Sequence, residues 1–314
     1  MKKYALKRLI QLVPVLIGIT FLSYGMMRLA GSDAVTQMYE KAGIAVAPEI
    51  IEEAKAKLGL DQPFLTQYFV WLGHLLQGDM GTSFVSGKDV FHTFLSKLPA
   101  TILLTCSSVA ATVLISIPFG ILAAIRQNKT IDYVIRFFSF IGNAMPNFFA
   151  ALLLMYFFSI QMKLLPVISS RTDFRSIILP ALTLSVSMSA KYTRQVRAVV
   201  LEELEKDYVQ GARARGIKES VILWKNVLRA SMVSIITLLA LSIGNLLGGA
   251  AVVENIFMWD GVGKLAADSI IMRDYPMIQA YVIWMAVIYV LVNFTADCIY
   301  RYLDPRVRLE GGGL

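Results

Sequence analysis

Six long apolar runs decide what this chain can fold into. They cover residues 9–27, 99–125, 133–162, 177–200, 231–257 and 278–300, and the shortest has 19 residues. About 20 apolar residues in a helix cross the hydrocarbon layer of a bilayer. The composition agrees, since 56% of the residues are hydrophobic and only 17% are charged. The sequence therefore predicts an all-α integral membrane protein with six transmembrane helices.

The charges between the runs predict the orientation of the chain. Basic residues are frequent in 126–136, 194–229 and 301–308, and they are fewer in 163–176 and 258–277. The positive-inside rule then places both termini, and the charged block 202–230, in the cytoplasm. The formal net charge of +8 follows from this topology, because the basic residues cluster at the ends of the runs. It does not indicate a nucleic-acid partner.

The first apolar run has two interpretations. Four positive charges within residues 1–8 precede it, as in a secretory signal peptide. The run is longer than the roughly 7–15 residues of a signal sequence, so an uncleaved span is favoured. The predicted organisation is a cytoplasmic tail and first helix (1–30), a small external helical subdomain (31–98), a five-helix core (99–300) and a cytoplasmic tail (301–314).

The charged block 202–230 is unusual because it lies between two membrane spans. Apolar residues such as Val209 and Ala212 recur in it at helical spacing, and Gly216 followed by Ile217 predicts a break between two short helices. A solvated loop is one interpretation. Two helices with an apolar face and no domain to bury it favour another, a docking element for a soluble partner.

Two spans contain polar or helix-breaking residues that are candidates for function. Asn143, Met145, Pro146 and Asn147 interrupt the third span. They are explained equally well by a proline kink in a packed helix and by a role in lining a transport pathway. Glu254, with Asn255 beside it, lies at the outer end of the fifth span, where an acidic group is either functional or extends to the interface.

Several kinds of chemistry lack their motifs. Residues 261–264 (GVGK) do not complete a phosphate-binding loop, and there is no H-E-x-x-H or G-x-S-x-G motif. His74 and His92 have no third ligand at a recognisable spacing. Cys106 and Cys298 lie singly in apolar spans, which indicates packing. We therefore expect no catalytic residue, no metal site and no enzyme activity.

Residues 207–216 (DYVQGARARG) resemble the cytoplasmic EAA loop of the permeases of binding-protein-dependent ABC importers, in the dipeptide, oligopeptide and nickel branch. Gln210 and Gly211 stand where Glu and Ala are common in that motif. Further blocks agree in order along essentially all 314 residues, and two of them, MPNFF and ENIF, look closer to the nickel-type permeases. These blocks are 58–72, 78–84, 145–149, 252–264, 273–276 and 303–308.

The resemblance implies a subunit of the bacterial inner membrane that pairs with a second, homologous permease. Two cytoplasmic ATPases, which carry the ATP and Mg²⁺, and an external substrate-binding protein would complete the importer, and this chain itself would bind no cofactor. The implied ATPase-coupling residues are Asp207, Tyr208, Gln210, Gly211, Ala212, Arg213, Ala214, Arg215 and Gly216. The candidate pathway residues are Asn143, Met145, Pro146, Asn147, Phe148, Glu254 and Asn255.

The cargo is open at this stage. Potential nickel ligands in the spans, Cys106, Cys298, Glu254 and Asp297, are scattered, so we expect nickel to cross as a chelate. Short peptides are the alternative cargo. A secondary transporter is the alternative of another class, and it would show paired broken helices in two related halves.

Overall fold

The computed structural model describes residues 2–29, 48–57, 61–168 and 174–303. Within these the regular secondary structure is helical, apart from one β-bridge between Thr82 and Asp89. This confirms the all-α prediction. The described helices are α1 (Lys2–Leu29), α2 (Pro48–Lys57), α3 (Phe64–Leu76), α4 (Val90–Ile125), α5 (Thr130–Ala144), α6 (Asn147–Leu154), α7 (Ile178–Leu204), α8 (Asp207–Ala214), α9 (Glu219–Val221), α10 (Leu228–Ile256), α11 (Val262–Ile271) and α12 (Tyr275–Leu303). Short π-helical segments, Met155–Gln161 and Ile222–Val227, follow α6 and α9.

Each predicted apolar run falls on a helix or a helix pair, but the number of six spans is not confirmed. Among the described residues, three stretches are long and apolar enough to cross a membrane: Val90–Ile125, Glu219–Leu239 and Tyr275–Thr295. A fourth is added if α5 and the helix that follows it form one broken span. Helix α7 does not qualify, because Lys191, Arg194 and Arg197 lie in its second half.

The chain divides into two compact units. One consists of Met1–Pro99 with Gly261–Val290, and the other of Ala100–Asp260 with Leu291–Leu314. These units differ from the predicted boundaries, because residues 261–290 pack with the N-terminal part of the chain. The predicted functional boundaries remain a prediction. Residues 31–47 of the predicted external subdomain, the tail residues 304–314, and the side chains of Asp297 and Cys298 lie outside the described part.

In the first unit, α3 packs on α1 through aromatic side chains. The hydroxyls of Thr20 and Tyr68 are 3.0 Å apart, and the rings of Phe21 and Tyr68 meet edge to face with centroids 5.2 Å apart. Near the other end of the unit, Asp274 is buried and accepts a hydrogen bond of 2.5 Å from Ser83 Oγ. The hydrogen bond between Ser83 and Asp274 fixes the loop at 78–84 to the segment before α12.

In the second unit, α7 is the central helix. It contacts α5, α6 and α10, and the small hydroxyl side chains along it are buried, including Thr183, Ser185, Ser189 and Thr193. Close packing on α4 depends on Gly120, where an added Cβ would lie 2.6 Å from Cβ of Val196. The small hydroxyl side chains of α7 are therefore shielded by its neighbours, whereas Lys191 and Arg194 are exposed.

Candidate functional site

The charged block contains the first predicted short helix, α8, and the turn after it. The second helix is not short, because helix runs without a break from Glu219 through Ile222–Val227 into α10. Helix α8 ends at Ala214, and Gly216 has a φ of +73°. The amide of Gly216 donates to the carbonyl of Arg213 (2.9 Å), and the amide of Ile217 donates to that of Ala212 (3.2 Å). This is the Schellman arrangement, in which a residue in the left-handed region ends the helix. The helix break predicted at Gly216 is confirmed.

The apolar face of α8 is buried within this chain, so the expectation that the chain has nothing to bury it is wrong. Docking of a soluble partner on α8 stays a prediction. Val209 is 0% exposed and Ala212 is 1% exposed. Both belong to a core cluster with Val196 and Val200 of α7 and with Val227 of the returning segment, that is, the π-helical residues Ile222–Val227. The periodicity was interpreted correctly as helical, but the membrane helices themselves supply the surface that covers it. Helix α8 is thus seated in a cluster formed by α7 and the segment Ile222–Val227.

The opposite face of α8 is open. Of the nine predicted coupling residues, Ala212 is buried and the other eight are exposed: Asp207, Tyr208, Gln210, Gly211, Arg213, Ala214, Arg215 and Gly216. A soluble partner would therefore meet a mostly polar surface with Tyr208 at its edge. Trp224, 67% exposed, adds an aromatic side chain on the returning segment.

Ion pairs stabilise both ends of α8 within the charged block 202–230, hereafter the hairpin. Arg213 Nε lies 2.6 Å from Glu219 Oε1 across the turn, and this hydrogen bond raises the pKa of Arg213. At the start, buried Glu203 accepts from Lys206 Nζ (2.5 Å) and from the Tyr208 hydroxyl (3.0 Å). Burial, and then the hydrogen bond to Glu203, raise the pKa of Tyr208 to about 12. Tyr208 therefore stays a neutral hydrogen-bond donor at physiological pH.

The third span is broken rather than kinked. Helix α5 ends at Ala144 and α6 starts at Asn147, and the two axes differ by 108°. Met145 and Pro146 between them have extended backbone, with ψ of 123° and 143°. A proline kink in a continuous helix leaves the chain running on in the same general direction, so that interpretation is wrong. Non-helical backbone at membrane depth occurs where protein or a water-filled cavity covers it.

A cavity of about 150 Å³ lies beside this break. Its lining consists of Asn147, Leu184, Ser187, Met188, Lys191, Tyr192, Leu246 and Gly249. Of the other predicted pathway residues at the break, Asn143, Pro146 and Phe148 are exposed and Met145 is half-buried, and none of them lines this cavity. Lys191 was missed by the sequence reasoning, which counted its helix as apolar. The signal was present, because a lysine in the middle of a span is a functional candidate.

Glu254 does not extend to the membrane interface. It is 0% exposed, and its Oε1 accepts a hydrogen bond of 2.6 Å from Thr101 Oγ1 on α4. Next to it, the Trp259 indole donates to the carbonyl of Ala100 (2.9 Å). Glu254 therefore joins α10 to α4 and does not line the cavity, whereas Asn255 is exposed.

The described residues bring no three metal-ligating side chains together. No group of three His, Cys, Asp or Glu within them could hold a metal ion. His74 Nδ1 lies 3.5 Å from Asp79 Oδ2 at the surface, and the backbone amide of His92 donates to Asp89.

Two family models match the chain. The model described as "Binding-protein-dependent transport system inner membrane component" matches residues 116–309, and the N-terminal model of the same transport systems matches residues 1–105. The chain belongs to this family. It is a permease subunit of an ABC importer, and the ATPase activity of such systems resides on other subunits.

Similar permeases carry different cargoes. The oligopeptide transport system permease protein AppB of Bacillus subtilis is 41% identical over 98% of this chain and 99% of its own length. The nickel import system permease protein NikB of Staphylococcus aureus is 38% identical over 99% and 93%. The glutathione transport system permease protein GsiC of Salmonella typhimurium is 35% identical over 99% and 100%. These identities do not favour nickel over peptides.

Solved structures support the fold of this permease. A chain of the MetNI methionine ABC transporter in an inward-facing conformation has a TM-score of 0.56, with 16% identity over 67% of this permease and 96% of that chain. At this identity the similarity concerns the fold alone.

Proposed function

We propose that this permease forms half of the translocation pathway of an ATP-driven importer of short peptides in the bacterial inner membrane. In this proposal it has six spans with both termini cytoplasmic. It pairs with a second permease, and two ATPases and an external binding protein complete the importer. The single observation that carries the coupling role is the seating of α8, with Val209 and Ala212 buried on α7 and the outer face open.

The seating explains how a push on the hairpin would reach the pathway. Protein interiors are close-packed and transmit displacement. Because Val209 and Ala212 belong to one core cluster with Val196 and Val200 of α7, α7 would follow any rigid-body movement of α8. Helix α7 also carries Lys191, beside the broken span. A shift of packed helices by a partner subunit is a common basis for switching between states.

Cysteine crosslinking tests the docking face. In a background with Cys106 and Cys298 replaced by Ser, the exposed Ala214→Cys should crosslink to an ATPase subunit in the assembled importer. The matched control is Ala212→Cys, two residues away and buried, which should not react. Absence of any crosslink from Ala214→Cys, in a complex that still binds the ATPases, would contradict docking on this face.

The peptide assignment rests on the relatives. The oligopeptide permease is 41% identical, and the glutathione permease, named for a tripeptide, is 35% identical. A nickel chelate is the second candidate, because the nickel permease is 38% identical. Uptake of a labelled tripeptide and of ⁶³Ni by the complex in proteoliposomes would separate them. ATP-dependent uptake of ⁶³Ni without tripeptide uptake would make the nickel chelate the first candidate cargo and the peptide the second.

The same vesicles address the secondary-transporter alternative. The proposed importer requires ATP and its ATPases, so substrate uptake should continue when an ionophore has removed all ion gradients. Uptake that stops with the gradient but persists without ATP would contradict the proposal.

A further inference from the structure

Lys191 has an unusual position for a charged side chain. It is the central residue of the 27-residue helix α7, with 13 residues on either side, and it is exposed. Its ammonium group makes no hydrogen bond or ion pair with any residue that the structure describes. A charged group in a span is costly toward lipid and is normally found facing the bundle interior or a water-filled cavity.

The surroundings of Lys191 are those of a pathway. Helices α5, α6 and α10 pack around α7. Lys191 lines the cavity of about 150 Å³ together with Asn147, which is the first residue of α6 after the break. Gly249 completes the wall. A Cβ at position 249 would lie 3.2 Å from Asn147 Nδ2, so a larger residue there would push the amide into the cavity.

The size and polarity of the cavity limit what it can hold. Pockets for whole small-molecule ligands have volumes of roughly 300–1,000 Å³, so about 150 Å³ accommodates one functional group with a few waters. The lysine supplies up to three donors with a positive charge, and the asparagine amide supplies two more donors. This set of donors matches an anionic oxygen group. A bare divalent cation would be repelled by the ammonium.

We infer that Lys191 and Asn147 form a binding site for a carboxylate group of the cargo as it passes through the membrane. The inference rests on the proposed function, since it concerns the same pathway. The carboxylate is the C-terminus of a short peptide, or that of a metal chelator in the second candidate function. Arg194, three residues further along and also exposed, lies on the same side of α7 toward the hairpin, as residues three apart do. It offers the next positive charge.

Uptake of paired substrates tests the site. The assembled importer in proteoliposomes is given a saturating amount of its binding protein, and ATP-driven uptake is compared for a tripeptide with a free C-terminal carboxylate and for its C-terminal amide. The affinity of the binding protein for each peptide is measured separately. The wild-type ratio of acid to amide uptake is then compared with the ratio for Lys191→Gln. This change in ratio isolates the contribution of the permease.

We expect Lys191→Gln to reduce the ratio about tenfold, the scale of a lost hydrogen bond to a charged group. Lys191→Arg keeps the charge and should retain most of the preference. The matched control Lys129→Gln changes the charge equally at an exposed position outside the cavity and should leave the ratio unchanged. For the chelate source, ⁶³Ni with histidine is compared with ⁶³Ni with histidinamide in the same variants.

The outcomes separate the two proposals. In one outcome the wild-type complex imports peptides, and Lys191→Gln assembles normally but changes the acid-to-amide ratio for neither the peptide nor the nickel complex. The carboxylate site is then refuted and the importer role stands. If the wild type takes up only nickel with histidine and Lys191→Gln abolishes its advantage over nickel with histidinamide, the site stands and the cargo is a chelate. If the wild type transports neither class, both proposals fail.

Discussion

Arg197 forms a two-pronged ion pair with Asp132. Its Nε lies 2.7 Å from Oδ1 of the carboxylate and its Nη2 lies 2.8 Å from Oδ2. The backbone amide of Asn128 donates a third hydrogen bond to Oδ2 at 2.9 Å. Because Asp132 lies in the first turn of α5 and Arg197 on α7, the pair ties the first half of the broken span to the helix that carries Lys191 and leads to the hairpin.

The two members of this pair should respond differently to removal. The carboxylate of Asp132 is 0% exposed, whereas the Arg197 side chain is 18% exposed. Arg197→Met leaves a buried anion without its cation, and we expect it to lower the free energy of unfolding by about 3–5 kcal/mol. Asp132→Asn should cost less, because the guanidinium can turn toward water. Chemical denaturation of the purified protein in detergent measures both values.

A double variant and a control complete this test. Asp132→Leu with Arg197→Met removes both charges and should recover part of the stability that Arg197→Met loses. The exposed Arg194→Met, on the same helix, should change the stability by less than about 0.5 kcal/mol. Equal losses for Arg197→Met and Arg194→Met would show that the ion pair does not stabilise the fold.

Substitutions on the two faces of α8 should have opposite phenotypes. Ala212→Asp places a carboxylate in the apolar cluster around Val196 and Val200, where an unpaired charge is very costly. We expect it to lower the thermal unfolding midpoint strongly. Ala214→Asp is exposed and should leave that midpoint within about 2 °C, while it weakens copurification of the ATPase. A stable Ala212→Asp protein would contradict the buried seating.

The features that could be predicted from the sequence and those that could not depend on different kinds of interaction. Hydrophobic periodicity and turn chemistry are local, so the helices and the break at Gly216 could be predicted. The partner of an apolar face is not local. The same spacing of Val209 and Ala212 fits a face that docks on another protein and a face that docks on α7, and only the tertiary packing distinguishes them.

Long-range polar pairs could not be predicted for the same reason. Asp132 and Arg197 are 65 positions apart, and Thr101 and Glu254 are 153 apart. Glu254 was assigned to the pathway because a carboxylate in a span is unusual, yet its burial and the hydroxyl of Thr101 account for it. Lys191 was overlooked because it lies within the run 177–200, which was counted as apolar.

Backbone conformation alone should make Gly216 sensitive to substitution. Its φ is +73° and nothing lies within 4 Å of an added Cβ, so steric contact plays no part. Gly216→Ala should cost about 1–2 kcal/mol, and Gly216→Asn less, since asparagine adopts this conformation more readily. Hydrogen exchange of the segment 202–230 measures the effect, and we expect roughly tenfold or greater acceleration for Ala. Unchanged exchange in Gly216→Ala would contradict the strained turn.

Gly120 should be sensitive for a different reason, the close approach of α4 to α7. A Cβ at position 120 would lie 2.6 Å from Cβ of Val196 and 2.9 Å from the carbonyl oxygen of Thr193. Neither a Cβ nor a backbone oxygen can turn aside, so Gly120→Ala must separate the two helices. We expect a loss of about 1–3 kcal/mol in the free energy of unfolding, measured by denaturation in detergent.

A glycine in open surroundings provides the control for Gly120. Gly73 lies within α3 with nothing within 4 Å of an added Cβ, so Gly73→Ala should be neutral or stabilise the protein by up to about 1 kcal/mol. A second variant, Gly120→Ala with Val196→Ala, removes only the contact with Cγ1 of Val196. It should recover only part of the loss, because the contacts with the Cβ of residue 196 and with the Thr193 carbonyl remain. Full recovery would mean that the valine alone sets the distance between the helices, and no loss in Gly120→Ala itself would contradict their close contact.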